Sequence, residues 1–390
     1  MTATDMAQAQ QRLVTQLIEN GALSPEWRPA FEAVHRAAFI PETVWIEGGG
    51  GLLMPLRRTE NPARWRELAH SDDAVITQVD DGHPAPDGTG RRISSSASMP
   101  TVIAQMLACS RTQSGHRILE IGTGTGYNAA LLAHRLGAEN VVTIEVDDVL
   151  AEIARHALRA AGYDQVTVVT GDGAEGHSPA APFDRILSTT AVQKVPYPWI
   201  EQTRPGGLVI TPWGTEYYNG GLLALTVTDD GTAVGHIIGK ASFMTLRQQR
   251  FAHPGLTLTA QDDAAAVHTE TDIHPAEVAN GEVAFDACIA IALRVANCDM
   301  SYSPPELDED DEGILWLIDY ASSSWARLHH HPEHDGPYRV LQSGCRRLWD
   351  EIEASYRWWC DFGCPSADQW RFTVTRHSQH TQLSAGPAGS

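Results

Sequence analysis

The stretch Arg117-Ile-Leu-Glu-Ile-Gly-Thr-Gly-Thr-Gly-Tyr127 decides how this chain folds. Ile118, Leu119 and Ile121 read as the end of a buried parallel strand. Gly122, Gly124 and Gly126 follow at once, and Asn128-Ala-Ala-Leu-Leu-Ala133 opens an apolar helix. A strand, a glycine turn and a helix bring a ligand against bare backbone and the positive end of a helix. Val141-Val-Thr-Ile144 reads as the next strand and ends in Glu145. An acid about 20 residues past the glycines stands where a ribose hydroxyl pair is bound. The plainer alternative is a tight turn in a core, with Glu145 solvated.

Glu120, just before the first glycine, separates two ligand classes. A pyrophosphate would be repelled by a carboxylate there, whereas a free amino group would be attracted. S-adenosylmethionine carries that amino group, and Glu-x-Gly-x-Gly-x-Gly resembles the class I methyltransferase pattern. Val166-Thr-Val-Val-Thr170 reads as a further strand, followed by Gly171-Asp172-Gly173. In folds of this kind an acid there holds the adenine amino group, so Asp172 is the candidate. Phe183 to Leu187 is another strand, with Ser188-Thr189-Thr190 at its carboxyl end, the edge where open α/β sheets bind ligands. The expected fold is therefore α/β, a class I (Rossmann-like) methyltransferase, with S-adenosylmethionine as cofactor and no metal. Its expected cofactor contacts are Glu120, Gly122, Thr123, Gly124, Gly126, Tyr127, Asn128, Glu145, Val146, Asp172, Gly173 and Thr189.

The 390 residues suffice for two to three domains, and 42% hydrophobic content supports a real core. No run is apolar and long enough to span a bilayer. The N-terminus lacks the basic and apolar regions of a signal peptide. Six scattered cysteines fit reduced thiols, so a cytoplasmic location is expected. The formal charge is −21, from 28 basic and 49 acidic residues. Such a surface repels nucleic-acid phosphates and suits a cationic or neutral peptide, or serves solubility alone.

Residues 1–92 read as a helical and loop region. Leu13, Leu17 and Ile18 share one helix face, as do Phe31, Val34 and Ala38. Gly48–Gly51 reads as a flexible loop, and Ala74–Val79 has strand character. In Ile93-Ser-Ser-Ser-Ala-Ser-Met-Pro100 any one serine is expected to cap the helix that follows. The catalytic core is placed at 93–250. Within it Leu222–Val227 and Thr232–Ile238 read as a hairpin about an Asp-Gly turn. An α+β extension follows at 251–376: an apolar helix near Glu282–Val295, strands at Gly313–Ile318 and Ser324–Leu328, a helix over Arg346–Phe362 and a closing strand at Trp370–Val374. Residues 377–390 read as a disordered tail. His329, His330, His331 and His334 invite a metal, but consecutive histidines on a strand point to opposite faces, which is poor chelate geometry.

Several motifs then line up in order: Ala30-Phe-Glu-Ala-Val-His-Arg-Ala-Ala-Phe-Ile-Pro41, Ser96-Ala-Ser-Met-Pro100, the glycine loop, Gly171-Asp-Gly173 and Ala181-Pro-Phe-Asp184. Together they resemble the protein L-isoaspartate O-methyltransferases over the first two-thirds of the chain. The resemblance implies that Ser98, with Ser96 near it, lies beside the reacting carboxylate and the methyl donor. The family's Val-Thr-Ala-Ala is Ser188-Thr-Thr-Ala191 here. The serine cluster, Ala241–Arg247 and the Trp- and His-rich extension, which simple repair enzymes lack, resemble a branch associated with lanthipeptides, lasso peptides and graspetides. That branch implies methylation of an Asp side chain in a cyclised precursor peptide, read by the extension, with closure to aspartimide and hydrolysis to isoaspartate. General isoaspartate repair and a non-catalytic, adenosylmethionine-binding peptide-interaction protein are the two rival readings.

Overall fold

A computed structural model describes residues 3–251, 266–305, 312–331 and 336–383, with side chains from Met6 onward. The chain divides into two compact units. The first comprises residues 1–190, 195–211 and 225–233; the second comprises 191–194, 212–224 and 234–390.

The first unit opens with helix α1 (Ala3–Glu19), which buries Leu13, Val14 and Leu17, and the short α2 (Arg28–Ala33). Strands β1 (Thr43–Glu47), β2 (Leu53–Arg57), β3 (Val75–Val79) and β4 (Ile93–Ala97) form an antiparallel sheet of order β2-β1-β3-β4. The N-terminal region thus contains three strands as well as helix and loop. Gly48–Gly51 makes a tight turn between β1 and β2, closed by the Gly48 amide donating to Leu52 O at 2.7 Å. Helix α3 (Pro62–Ala69) precedes β3, and α4 (Pro100–Cys109) follows β4. The serines expected as caps lie largely in strand β4, and Met99 at the cap position of α4 offers no side-chain bond. Pairing with β3 claims the serines first, and Asp72 takes the Thr101 amide at the start of α4.

Strands β5 (Ile118–Ile121), β6 (Val141–Glu145), β7 (Thr167–Thr170), β8 (Phe183–Ser188) and β9 (Thr203–Gly214) follow, in the order β9-β8-β5-β6-β7. All four pairings are parallel. Chain order reverses at β5, with β6 on one side and β8 on the other, and this switch point opens a crevice at the carboxyl ends. Helix α5 (Tyr127–Leu136) joins β5 to β6, and α6 (Asp148–Ala160) joins β6 to β7. Leu150, Ala151, Ala154 and Leu158 repeat at three and four residues and are the buried stripe of α6. Helix α7 (Tyr197–Glu201) leads into β9.

The second unit holds strands β10 (Asn219–Val227, in part), β11 (Ala233–Lys240), β12 (Val267–Thr271), β13 (Asp299–Ser303), β14 (Gly313–Asp319), β15 (Ser324–His330), β16 (Tyr338–Ser343), β17 (Trp370–Val374) and β18 (Gln379–Leu383). It also holds helices α8 (Pro275–Ala279), α9 (Phe285–Ala292) and α10 (Leu348–Asp361). Strands β12 to β16 form an antiparallel sheet of order β12-β16-β15-β14-β13, against which α10 buries Leu348, Trp349 and Ile352. Alternate residues of β14 are buried, as its sequence period predicts. His329 and His330 do fall on opposite faces: His329 pairs with Glu312 at 2.8 Å, while His330 is 3% exposed. His334 lies outside the described residues.

Two boundaries differ from the sequence expectation. Residues 379–383 are strand β18, paired antiparallel with β17 from Trp370↔Leu383 to Val374↔Gln379, and not part of a disordered tail. Gln-His-Thr-Gln-Leu has no apolar stripe, so its backbone pairing leaves no hydrophobic signature. The second unit also claims 191–194, 212–224 and 234–250, which the sequence assigned to the core. Strand β17 neighbours β11 in the sheet, Trp213 packs on Phe372, and the Tyr217 hydroxyl donates to Val278 O at 2.6 Å. No helix among the described residues is long and apolar enough to cross a membrane.

Candidate active site

The glycine loop is built for close approach. Gly122, Gly124 and Gly126 have φ of +90°, +54° and +92°, the left-handed region that favours glycine. A Cβ on Gly122 would stand 2.8 Å from Thr189 Oγ1 and 2.9 Å from Thr190 Cγ2. The Gly122 and Thr123 amides donate to Ile144 O, and the Gly124 amide donates to Glu145 Oε2 at 2.8 Å. The loop is thereby tied to the end of β6. Thr189 at the end of β8 donates to Gly122 O at 2.6 Å, so the carboxyl ends of three strands meet here.

Glu145 is nearly buried and also accepts the Asp147 amide. Val146 beside it is exposed. Asp172 is half-buried at the end of β7; its Oδ1 accepts the Ala174 amide at 2.8 Å, and no hydrogen bond to Oδ2 occurs among the described residues. Gly173 is buried, its carbonyl accepting the Trp199 indole N–H. Glu145 and Asp172 therefore lie at the ends of adjacent strands, as a ribose and an adenine base require.

Two expected contacts stand elsewhere. The Glu120 side chain is wholly buried, below the loop and not on its open side. Its carboxylate accepts from Asn128 Nδ2 and from Thr143 Oγ1, both at 2.6 Å. Burial pushes its pKa up to about 7 against those two hydrogen bonds, and Glu145 repels the same way. It cannot meet an amino group directly in this arrangement; it orients Asn128, whose buried Oδ1 has no partner among the described residues. Strand β5 is covered on both faces, so its sequence could not tell an inward acid from a ligand-facing one. The Tyr127 ring is also buried, packed against Phe31 and Phe39. It opens α5 on the side facing the N-terminal helices, so only its backbone belongs to the loop.

The serine strand lies across the loop: the space a Gly124 Cβ would take is 3.7 Å from Ser96 O. Ser96 is half-buried, and the Ser98 hydroxyl, also half-buried, has no hydrogen-bond partner among the described residues. The Ser98 backbone is held. Arg36, wholly buried, donates to Ala97 O and Ser98 O at 3.1 Å, and to Ser71 O and Asp73 O at 2.9 and 2.7 Å. Burial lowers the Arg36 pKa to about 10, which still leaves it a cation at neutral pH. Asp72 takes the Thr101 amide and hydroxyl at the start of α4. A second chain runs from the Ser94 hydroxyl to Gln78 Oε1 and from Gln78 Nε2 to Asp147, the cap of α6. None of Arg36, Asp72, Gln78 or Asp147 stands out locally in sequence; Arg36 sits in the Ala30–Pro41 motif, the only available signal.

The residues present fit an adenosylmethionine. A bare glycine loop, a carboxylate at the end of β6, a half-free carboxylate at the end of β7 and an orphaned buried amide oxygen match a diol, an exocyclic amine and an ammonium. The arrangement offers two half-buried hydroxyls, Ser96 and Ser98, neither with a side-chain hydrogen bond among the described residues, to a second reactant. The nearby groups hold backbone, so the site is built to position rather than to move protons.

The family model for protein-L-isoaspartate(D-aspartate) O-methyltransferase matches residues 88–250. A protein-L-isoaspartate O-methyltransferase of Ignicoccus hospitalis is 34% identical over 209 residues, spanning 53% of this chain and 82% of that one. The protein of the same name from Methanothermobacter thermautotrophicus is 31% identical over 243 residues, 62% of this chain and 96% of that one. A solved structure named protein-L-isoaspartate O-methyltransferase superposes with a TM-score of 0.54 at 21% identity, covering 96% of this chain and 100% of that one. That likeness establishes the fold, a class I S-adenosylmethionine-dependent methyltransferase with an added C-terminal sheet unit. That structure covers nearly the whole chain, whereas the two relatives above match 53% and 62% of it.

Proposed function

The chain belongs to the protein-L-isoaspartate O-methyltransferase family, and on that premise we propose that it methylates a side-chain carboxylate of an aspartyl or isoaspartyl residue in a peptide. The observation that carries this reading is the uncommitted Ser98 hydroxyl, on a backbone clamped by Arg36 and two residues past Ser96, whose carbonyl faces the glycine loop. A carboxylate is ionised at neutral pH and needs no base. S-adenosylmethionine, when bound, supplies an activated methyl group. Gly122–Gly126, Glu145 and Asp172 would hold it, and Asn128 would orient its amino-acid end. Ser98 would donate to one oxygen of the acceptor carboxylate and leave the other free. Positioning of this kind supplies much of the rate without acid–base groups.

The finer reading concerns the acceptor. A constrained ribosomal peptide, methylated at Asp and closing to aspartimide, is the reading that the sequence resemblance supports, with the second unit as the part that recognises it. General repair of isoaspartyl peptides is supported by the whole-chain superposition, since a protein of that name shares the two-unit fold. Intact-mass analysis with adenosylmethionine and two acceptors separates them. Methyl gain followed by net loss of one water, on a cyclised precursor peptide only, upholds the first. Methylation of an unrelated isoaspartyl hexapeptide upholds the second. Ligand binding without turnover on any acceptor rejects both and leaves a binding protein.

A further inference from the structure

A cleft of about 240 Å³ in the second unit is lined by Lys194, Arg294 and His380 and by no acidic residue. In a chain with 49 acidic and 28 basic residues, a rim with bases alone runs against composition. The floor is aromatic: Trp213 and Phe372, both buried, meet edge to face at 5.2 Å. The Lys194 ammonium is exposed and has no acidic partner among the described residues. Arg294 is also without one; its guanidinium lies over Trp358 at 4.0 Å. The mount beneath Lys194 is elaborate. Gln249 accepts the Gln193 and Lys194 amides at 2.8 and 2.9 Å and donates to Lys194 O at 2.7 Å. Trp213 and Gln379 both donate to Gln193 O. Five side-chain hydrogen bonds thus fix two residues of an otherwise irregular segment, at the base of a free cation.

We propose that this cleft is a subsite for a second carboxylate on the acceptor peptide, apart from the one that is methylated. The inference rests on the peptide-methylation reading above. A basic rim over an apolar floor suits an acidic group on a chain with apolar neighbours. Lys194 follows Thr189 by five residues, so chain connectivity alone keeps it within about 17 Å of that site. An extended peptide covers the same distance in about five residues, which places the second acid within that distance of the acceptor. The carboxylate is either an Asp or Glu side chain or the peptide's own C-terminus.

The test uses the full chain and isoaspartyl hexapeptides in matched pairs: Glu or Gln three residues from the isoaspartate, and free or amidated C-termini. Lys194→Glu and Arg294→Glu reverse the rim charge. For wild type, KM for one acidic member is expected about three- to fivefold below that of its neutral partner at low salt. Either reversal should abolish that preference, with kcat and the neutral peptide's KM unchanged. The pair that shows the preference identifies the carboxylate. Equal KM for every pair, or a preference that survives both reversals, overturns the proposal. If wild type methylates none of these peptides, the methylation reading fails on its own account. The same peptides, fluorescently labelled, then decide the subsite by anisotropy: a preference for acid lost in the reversals upholds it, and equal affinity rejects it.

Discussion

Replacing Glu120 by Gln should stabilise the protein, by an amount that grows with pH. Glu120 is wholly buried, and its pKa stands near 7 where an ordinary carboxyl stands at 4.5. The native state therefore binds more protons than the unfolded chain across that window, and stability falls as pH rises through it. At about 1.4 kcal/mol per pKa unit, the full loss above pH 7 is about 3 kcal/mol. Gln cannot ionise, and it keeps an oxygen for Asn128; the Thr143 hydroxyl can turn, since it also meets Thr123 Oγ1 at 2.6 Å. Urea unfolding without cofactor at pH 5.5 and 8.5 is the assay, the lower value kept above the sequence pI of 5.1 for solubility. By pH 5.5 roughly 1.4 kcal/mol of the loss is already present, so the advantage of the variant should widen by about 2 kcal/mol between the two conditions. Other carboxyls titrate equally in both proteins and cancel. A difference constant with pH would refute the reasoning, because it would mean that Glu120 is charged or neutral in both states alike.

Other outcomes follow from the same geometry. Ser98→Ala should lower kcat about 10- to 100-fold, the worth of one hydrogen bond to a charged group, with urea stability unchanged because no protein partner is lost. Gly122→Ala places a Cβ at φ +90° and 2.8 Å from Thr189 Oγ1; a loss of about 1–3 kcal/mol in stability and a larger fall in adenosylmethionine affinity by calorimetry are expected. Truncation after Arg250 removes Phe372 from Trp213 and Val278 from Tyr217, both buried, so the product should aggregate and not persist as an active core on size-exclusion chromatography.

The sequence by itself determined the strand, glycine turn and helix at 117–133, the succession of strands along the chain after it, and the cofactor class. These are local signals: apolar runs, glycines at fixed spacing and acids at strand ends carry them within about 30 residues. It determined the β14–β15 alternation and the opposite facing of His329 and His330, because strand period is geometric. Only the tertiary structure decided which way Glu120 faces, since a strand buried on both sides has no polar face to read. Only it brought Arg36 under Ser98 across 62 positions, through carbonyls that any residue provides. It also drew Lys194 and Trp213 into the second unit, beside Phe372 and Arg294, and made a strand of Gln379–Leu383. Contacts made by backbone groups, or by residues far apart in the chain, leave no periodic trace in the amino-acid order.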